Sequence, residues 1–205
     1  MKEHIFYHIY NRANGNEKLF IEDENYRYFL QQWSKYIEPI AETYCYCLLP
    51  NHFHFLVRIR NEEEVLDFLR LSKPTLQGFE TLGGFSRAIS LPFSHLFNGY
   101  TQAFNKKYKR KGSLFMSNFK QKEIADDSYF TSIVAYIHRN PIHHHLVTEL
   151  EHWKHSSYTT LLSSKPTKLQ RQYLLDWFGG KEKFLQFHQE EIKEFKKMEA
   201  WMEIP

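Results

Sequence analysis

Cysteine is nearly absent from this 205-residue chain, which has only Cys45 and Cys47. Two residues apart on a strand, they point to the same face, and such close neighbours rarely close a disulfide. They read as two reduced, buried thiols of a cytoplasmic protein, and a single C-x-C pair is poor evidence for zinc. Long apolar runs are missing as well: none approaches the ~18 residues of a membrane span. The opening Met1-Lys2-Glu3-His4 leads straight into a strand-like segment, without a visible secretory signal. No G-x-x-x-x-G-K-[ST] occurs, so nothing marks an ATP site of the P-loop kind. Internal repeats and low-complexity tracts are absent too.

What the chain does have is aromatic surface. Aromatics make up 17% of it, with 18 Phe and 13 Tyr. These can all be core, and aromatics beside cations also suit stacking on unpaired bases. With 42% hydrophobic and 25% charged residues, a full core can form. The net charge of +3 is mildly basic, so the placement of charge says more than its sum.

Residues 4–10, HIFYHIY, read as a strand, and the polar stretch 11–17 with Asn14-Gly15 as a turn. Tyr26, Phe29, Leu30 and Trp33 recur at helical spacing across 22–36, and Pro39 ends that helix. Residues 41–49 and 51–60 read as a hairpin about Pro50-Asn51. A short helix over 62–71, with acids at its start, precedes a loop bracketed by Pro74 and Gly83-Gly84. A helical region over 85–107 is expected to break near Pro92 and Gly99. A strand is expected over 113–124 and a helix over 127–140, capped by Asp126-Asp127 and stopped by Pro141. Beyond about 150 two helical stretches follow, 167–177 and 181–200. The expectation is an α+β fold: a ferredoxin-like or RRM-like antiparallel sheet with helices packed on it, spanning 1–150, and a helical C-terminal extension over 151–205.

Three features carry chemistry. In Asn51-His52-Phe53-His54-Phe55 a strand sends His52 and His54 to one face and the phenylalanines to the other. Two neutral imidazoles so placed can share one metal ion, although an H-x-H pair is more often an ordinary surface pair. The neighbouring His143, His144 and His145 read as a solvated loop. In Tyr136-Ile137-His138-Arg139-Asn140-Pro141, Tyr136 and Asn140 lie four apart, on one helix face. Pro141 places Asn140 at the helix end, where its amide oxygen can act as a third, neutral ligand. The plainer reading makes Tyr136 packing and Asn140 a helix terminus. Finally, Lys106, Lys107, Lys109, Arg110 and Lys111 surround Tyr108, a pattern that suits a phosphate backbone with one stacked base or, equally, a solvated loop.

Together these features resemble the single-tyrosine HUH transposases, in particular the REP-associated tyrosine transposases. The resemblance runs from about Tyr7 to Trp153. Its carriers are YHIYNRANGNEKLF at 7–20, CLLPNHFHFLV at 47–57, KRKGSLFMSNFKQKEI at 109–124 and YIHRNPIHHHLV at 136–147. It implies that His52 and His54 hold a divalent metal, that Tyr136 is a nucleophile, and that Asn140 stands where some relatives carry glutamine as a further ligand. It also implies single-stranded or hairpin DNA as substrate. The expected reaction is metal-dependent strand cleavage and rejoining through a 5′-phosphotyrosine, which needs no ATP because the covalent link preserves the phosphodiester's energy. Two imidazoles and an amide leave open positions and bring no carboxylate, which suits Mg²⁺ or Mn²⁺ better than a closed structural zinc. Arg58, Arg60, Arg139 and the basic run 106–111 are the candidate phosphate contacts. The C-terminal extension could grip a DNA hairpin, complete the fold or support a homodimer. Two other readings stay open: a non-catalytic nucleic-acid-binding module, and a metal-dependent hydrolase in which Tyr136 merely packs.

Overall fold

β-Branched and aromatic residues alternate along the early strands, and the sheet they build has two apolar faces to cover. The computed structural model describes residues 1–72 and 84–202, so Pro74 and Gly83 lie outside the described residues. The elements run β1 (Phe6–Arg12), α1 (Asp23–Tyr36), β2 (Ala41–Leu49), β3 (His52–Ile59), α2 (Glu62–Ser72), α3 (Gly84–Lys107), β4 (Lys120–Glu123) and α4 (Asp127–His143). After these come α5 (Tyr158–Leu162), α6 (Arg171–Trp177) and α7 (Lys181–Met202). The sheet order is β2-β3-β1-β4, with every neighbouring pair antiparallel. This is the antiparallel α+β sheet, of ferredoxin-like order, that the sequence predicts.

Each face carries its own core. Ile9, Phe53, Phe55 and Val57 pack against α1 and α3 through Phe29, Trp33, Phe93 and Tyr100. Trp33 stacks on Phe55 with ring centroids 3.5 Å apart, and its indole donates to Thr43 Oγ1 at 3.0 Å. On the opposite face Cys45, Cys47 and Leu56 meet Phe130, Val134 and Ile137 of α4, together with Tyr158 and Phe184 of the tail. Both thiols are free, and burial pushes them far above the usual thiol range, so they behave as small apolar side chains.

Three expectations need correction. α3 does not break: it runs through Pro92 and Gly99 because Ile89, Phe93 and Leu96 are buried, and that packing outweighs one lost backbone hydrogen bond. The strand expected over 113–124 shrinks to Lys120–Glu123, whose four polar residues are all exposed and bury no face. Leu114 and Phe115 instead sit in irregular chain that is tied by the Ala13–Phe115 bridge to the residue following β1. α4 continues past Pro141 to His143, so Asn140 is inside the helix rather than at its end.

The tail closes the edge of the sheet at β2. Leu48 N–H donates to His155 O at 3.0 Å, Ser157 N–H to Tyr46 O at 2.9 Å, and Gln170 N–H to Thr43 O at 2.9 Å. Behind this seam lies a buried polar chain. His188 Nδ1 is 2.8 Å from Phe184 O, which can only accept, so the proton is on Nδ1. His188 Nε2 therefore accepts from His138 Nδ1–H at 2.9 Å, and His138 Nε2 faces the Ser157 hydroxyl at 2.9 Å. That hydroxyl also accepts from Tyr46 N–H at 2.8 Å.

Burial holds both imidazoles neutral, pushing His188 down to about 4 and His138 well below the ordinary 6.5. The unfolded chain therefore binds more protons than the folded one between about pH 6.5 and 4. This stabilisation is complete above pH 6.5 and is lost as the pH falls through that window. The urea midpoint should drop between pH 7 and pH 5. At pH 7, Ser157→Ala should cost about 1–3 kcal/mol, because it removes the hydroxyl that serves Tyr46 N–H and His138 Nε2. An unchanged midpoint in both experiments would contradict this account of the seam.

Candidate active site

Strand register decides which side chains meet. His54 lies opposite Tyr10 of β1, and His8 lies opposite Leu56, so His8, Tyr10, His52 and His54 share one face of the sheet. α4 packs over β2 and β3 on that face and sends Tyr136 and Asn140 toward the histidines. The rings of His52 and His54 are 5.2 Å apart, and Tyr136 meets His54 edge-on at 5.5 Å and His8 at 6.1 Å. The structure thus brings together four residues named from sequence: His52, His54, Tyr136 and Asn140. It adds His8, whose Nε2 is 2.9 Å from His54 Nδ1.

Tyr136 is 39% exposed while His54 is 6% and Asn140 1% exposed. The phenol is accessible above a buried polar floor, and among the described residues its hydroxyl has no hydrogen-bond partner. Burial is the main cause holding the floor neutral. It pushes His52 down to about 4, with His144 beside it acting in the same direction, and it pushes His54 well below the ordinary range. His52 Nδ1 sits 2.7 Å from Asn51 Oδ1, an acceptor, so its proton is on Nδ1 and Nε2 carries the lone pair.

The Asn140 amide nitrogen is committed to Tyr136 O at 2.8 Å, which turns its oxygen the other way. That Oδ1 and His54 Nε2 are both buried without a partner. Unpartnered buried polar atoms cost free energy, and a bound cation is one partner that an amide oxygen or an imidazole lone pair can take. No cluster of three His, Cys, Asp or Glu able to hold a metal occurs among the described residues. Besides the two imidazoles, the Asn140 amide oxygen is a neutral polar atom at this site that could hold a metal. The neutral oxygen and nitrogen set that results fits a hard divalent ion that keeps several waters.

A solved structure described as a REP-associated tyrosine transposase bound to a REP hairpin aligns with 80% of this chain and 84% of its own. The TM-score is 0.52 and the identity 14%. This chain shares that transposase's fold. No protein-family model and no curated protein matches the sequence.

On this transposase-like fold the cations named from sequence are mostly engaged elsewhere. Arg58 is clamped by Glu42 at 2.7 Å, and Arg60 reaches Glu64 at 3.5 Å and Glu38 O at 3.0 Å. Arg58 is four residues along β3 from His54, about 13 Å at strand rise. Arg139 pairs with Glu191 and lies over the Phe195 ring, so it serves the tail. The basic run begins in the last turn of α3, which packs on the opposite face of the sheet. There Lys107 pairs with Glu22 at 2.7 Å and with Glu24, while Arg110 pairs with Glu17 and donates to Ser113 O at 2.8 Å. Lys106, Lys109 and Lys111 remain exposed.

Sequence reasoning passes over the cations beside the site. Arg12 lies opposite His52, Lys120 opposite Tyr10 and Lys122 opposite His8, so all three share the histidine face. They are exposed and have no ion-pair partner among the described residues. Only strand register reveals them.

Asn140→Leu should separate stability from function. Removing a buried oxygen without a partner offsets the lost amide hydrogen bond to Tyr136 O, so the stability of the metal-free protein, read from the urea midpoint, should change by no more than about 1 kcal/mol. Mn²⁺ affinity measured by calorimetry should fall at least tenfold. A clear loss of stability with unchanged Mn²⁺ binding would show that the amide is structural.

Proposed function

We propose that this protein cleaves and rejoins single-stranded DNA through Tyr136, with a divalent metal held by His52, His54 and Asn140. One observation carries the reading: an accessible phenol set over a buried, neutral floor in which two polar atoms, His54 Nε2 and Asn140 Oδ1, lack partners. A bound Mg²⁺ or Mn²⁺ would supply positive charge to the scissile phosphate as the transition state forms.

The chain's own residues do the rest. α4 holds Tyr136 beside the donors, so a phosphate seated there lies within reach of the phenol oxygen. That oxygen forms a bond to phosphorus as the bond to the 3′-oxygen breaks. The net proton transfer runs from the phenol to the released 3′-hydroxyl. The product is a 5′-phosphotyrosine, and attack by a DNA 3′-hydroxyl reverses the step. Arg12, Lys120 and Lys122 line the half of this face that α4 leaves open, where a strand of phosphates can run past the site. Tyr10, half-buried and stacked on His8 at 4.7 Å, offers a ring to an unpaired base. The similar transposase binds a REP hairpin, which makes hairpin-flanked DNA the first substrate to try.

Incubation with labelled single-stranded DNA and Mn²⁺ should yield a covalent protein–DNA adduct on a denaturing gel. The adduct should vanish in Tyr136→Phe and in EDTA. Metal-dependent cleavage that survives in Tyr136→Phe would favour a hydrolase instead. Replacing Arg12, Lys120 and Lys122 together by glutamine should weaken binding. It should also flatten the salt dependence by roughly 0.7 in log–log slope for each phosphate that is no longer neutralised. An unchanged slope would place the backbone-binding cations elsewhere.

A further inference from the structure

Two histidine nitrogens 2.9 Å apart must share one proton, since two facing lone pairs would repel. The proton has two places to sit. If His8 donates, His54 must carry its own proton on Nε2, which is buried and has no acceptor. If His54 donates from Nδ1, its Nε2 keeps a lone pair that is buried and, like Asn140 Oδ1, has no hydrogen-bond partner in the protein.

We propose that His8 is the positioning residue of the site, accepting from His54 Nδ1–H and so holding His54 in the tautomer that can bind a metal through Nε2. This rests on the metal site proposed above. The free imidazole favours the opposite tautomer, so the fold must impose this one.

His8 is built for the task. It is 6% exposed, lies against Tyr10 at 4.7 Å and His54 at 5.1 Å, and is closed edge-on by Tyr136 at 6.1 Å. Burial, reinforced by Lys122, keeps its imidazole neutral and therefore able to accept. Metal-bound histidines usually donate to a carboxylate or a carbonyl. A neutral imidazole in that role orients the ring without adding negative charge, which keeps the whole site free of carboxylates.

The test reads the tautomer directly. Long-range ¹H–¹⁵N correlation on ¹⁵N-histidine-labelled, metal-free protein at pH 7, with His54 assigned by its loss in His54→Ala, should show Nδ1 protonated and Nε2 bare. His8→Leu should shift His54 toward Nε2–H and weaken Mn²⁺ binding about 10–100-fold, the range typical for loss of such partners. His8→Gln, whose side-chain oxygen can accept in the same place, should restore both, with thermal melts alike across the set. If His8→Leu does not fold, the wild-type tautomer alone decides. A wild-type His54 protonated on Nε2 overturns the inference even if Mn²⁺ binds and DNA is cut. A wild-type His54 bare at Nε2 that binds no Mn²⁺ overturns the metal reading of the site, and the positioning role with it.

Discussion

Everything in this molecule hangs on the alternation of β3. Phe53, Phe55 and Val57 face α1 and α3, while His52, His54 and Leu56 face α4. A strand has a period of two, so a slip of one residue would send the phenylalanines to α4 and bury the histidines among Trp33 and Phe29. The apolar face fixes the register, and the polar face inherits its position from it. Burial of Phe53 and Phe55, both 0% exposed, is therefore also what places His54 opposite Tyr10 and beside His8.

That inherited polar face carries a cost. His54 Nε2 and Asn140 Oδ1 are buried without partners, each an expense of order 1–3 kcal/mol unless a ligand supplies a partner. The rest of the structure offsets it. Two cores grip the sheet, the 153–157 segment seals the β2 edge, and the Ser157–His138–His188 chain ties α7 to α4. α4 is thus held from behind by the tail while its front face presents Tyr136. The extension at the C-terminus is part of what keeps the site's helix in place, since Tyr158 and Phe184 share a core with Ile137.

Much of this is legible in the sequence. The hairpin about Pro50-Asn51 and the first helix emerge near their observed bounds because period and breakers agree there. The pairing of His52 with His54 and the four-residue step from Tyr136 to Asn140 are local patterns, and local patterns survive folding. The failures share a cause. Pro92 and Pro141 read as stops, yet packing of Ile89, Phe93 and Ile142 carries both helices through. His8, Arg12, Lys120 and Lys122 belong to the site only through strand pairing, which no single segment reports. The basic run 106–111 looks like a phosphate track because the acids that occupy part of it, Glu17, Glu22 and Glu24, lie some 80 to 95 residues earlier in the chain.

The central claim is that Tyr136, and no other side chain, takes the phosphate. The most direct measurement is peptide mapping by mass spectrometry of protein trapped with DNA and Mn²⁺, after nuclease trimming and proteolysis. The account requires a nucleotide remnant on the peptide that contains Tyr136, linked through its phenol oxygen. A remnant on another residue, Tyr10 being the nearest rival at the site, or cleaved DNA with no remnant on any peptide, would contradict it.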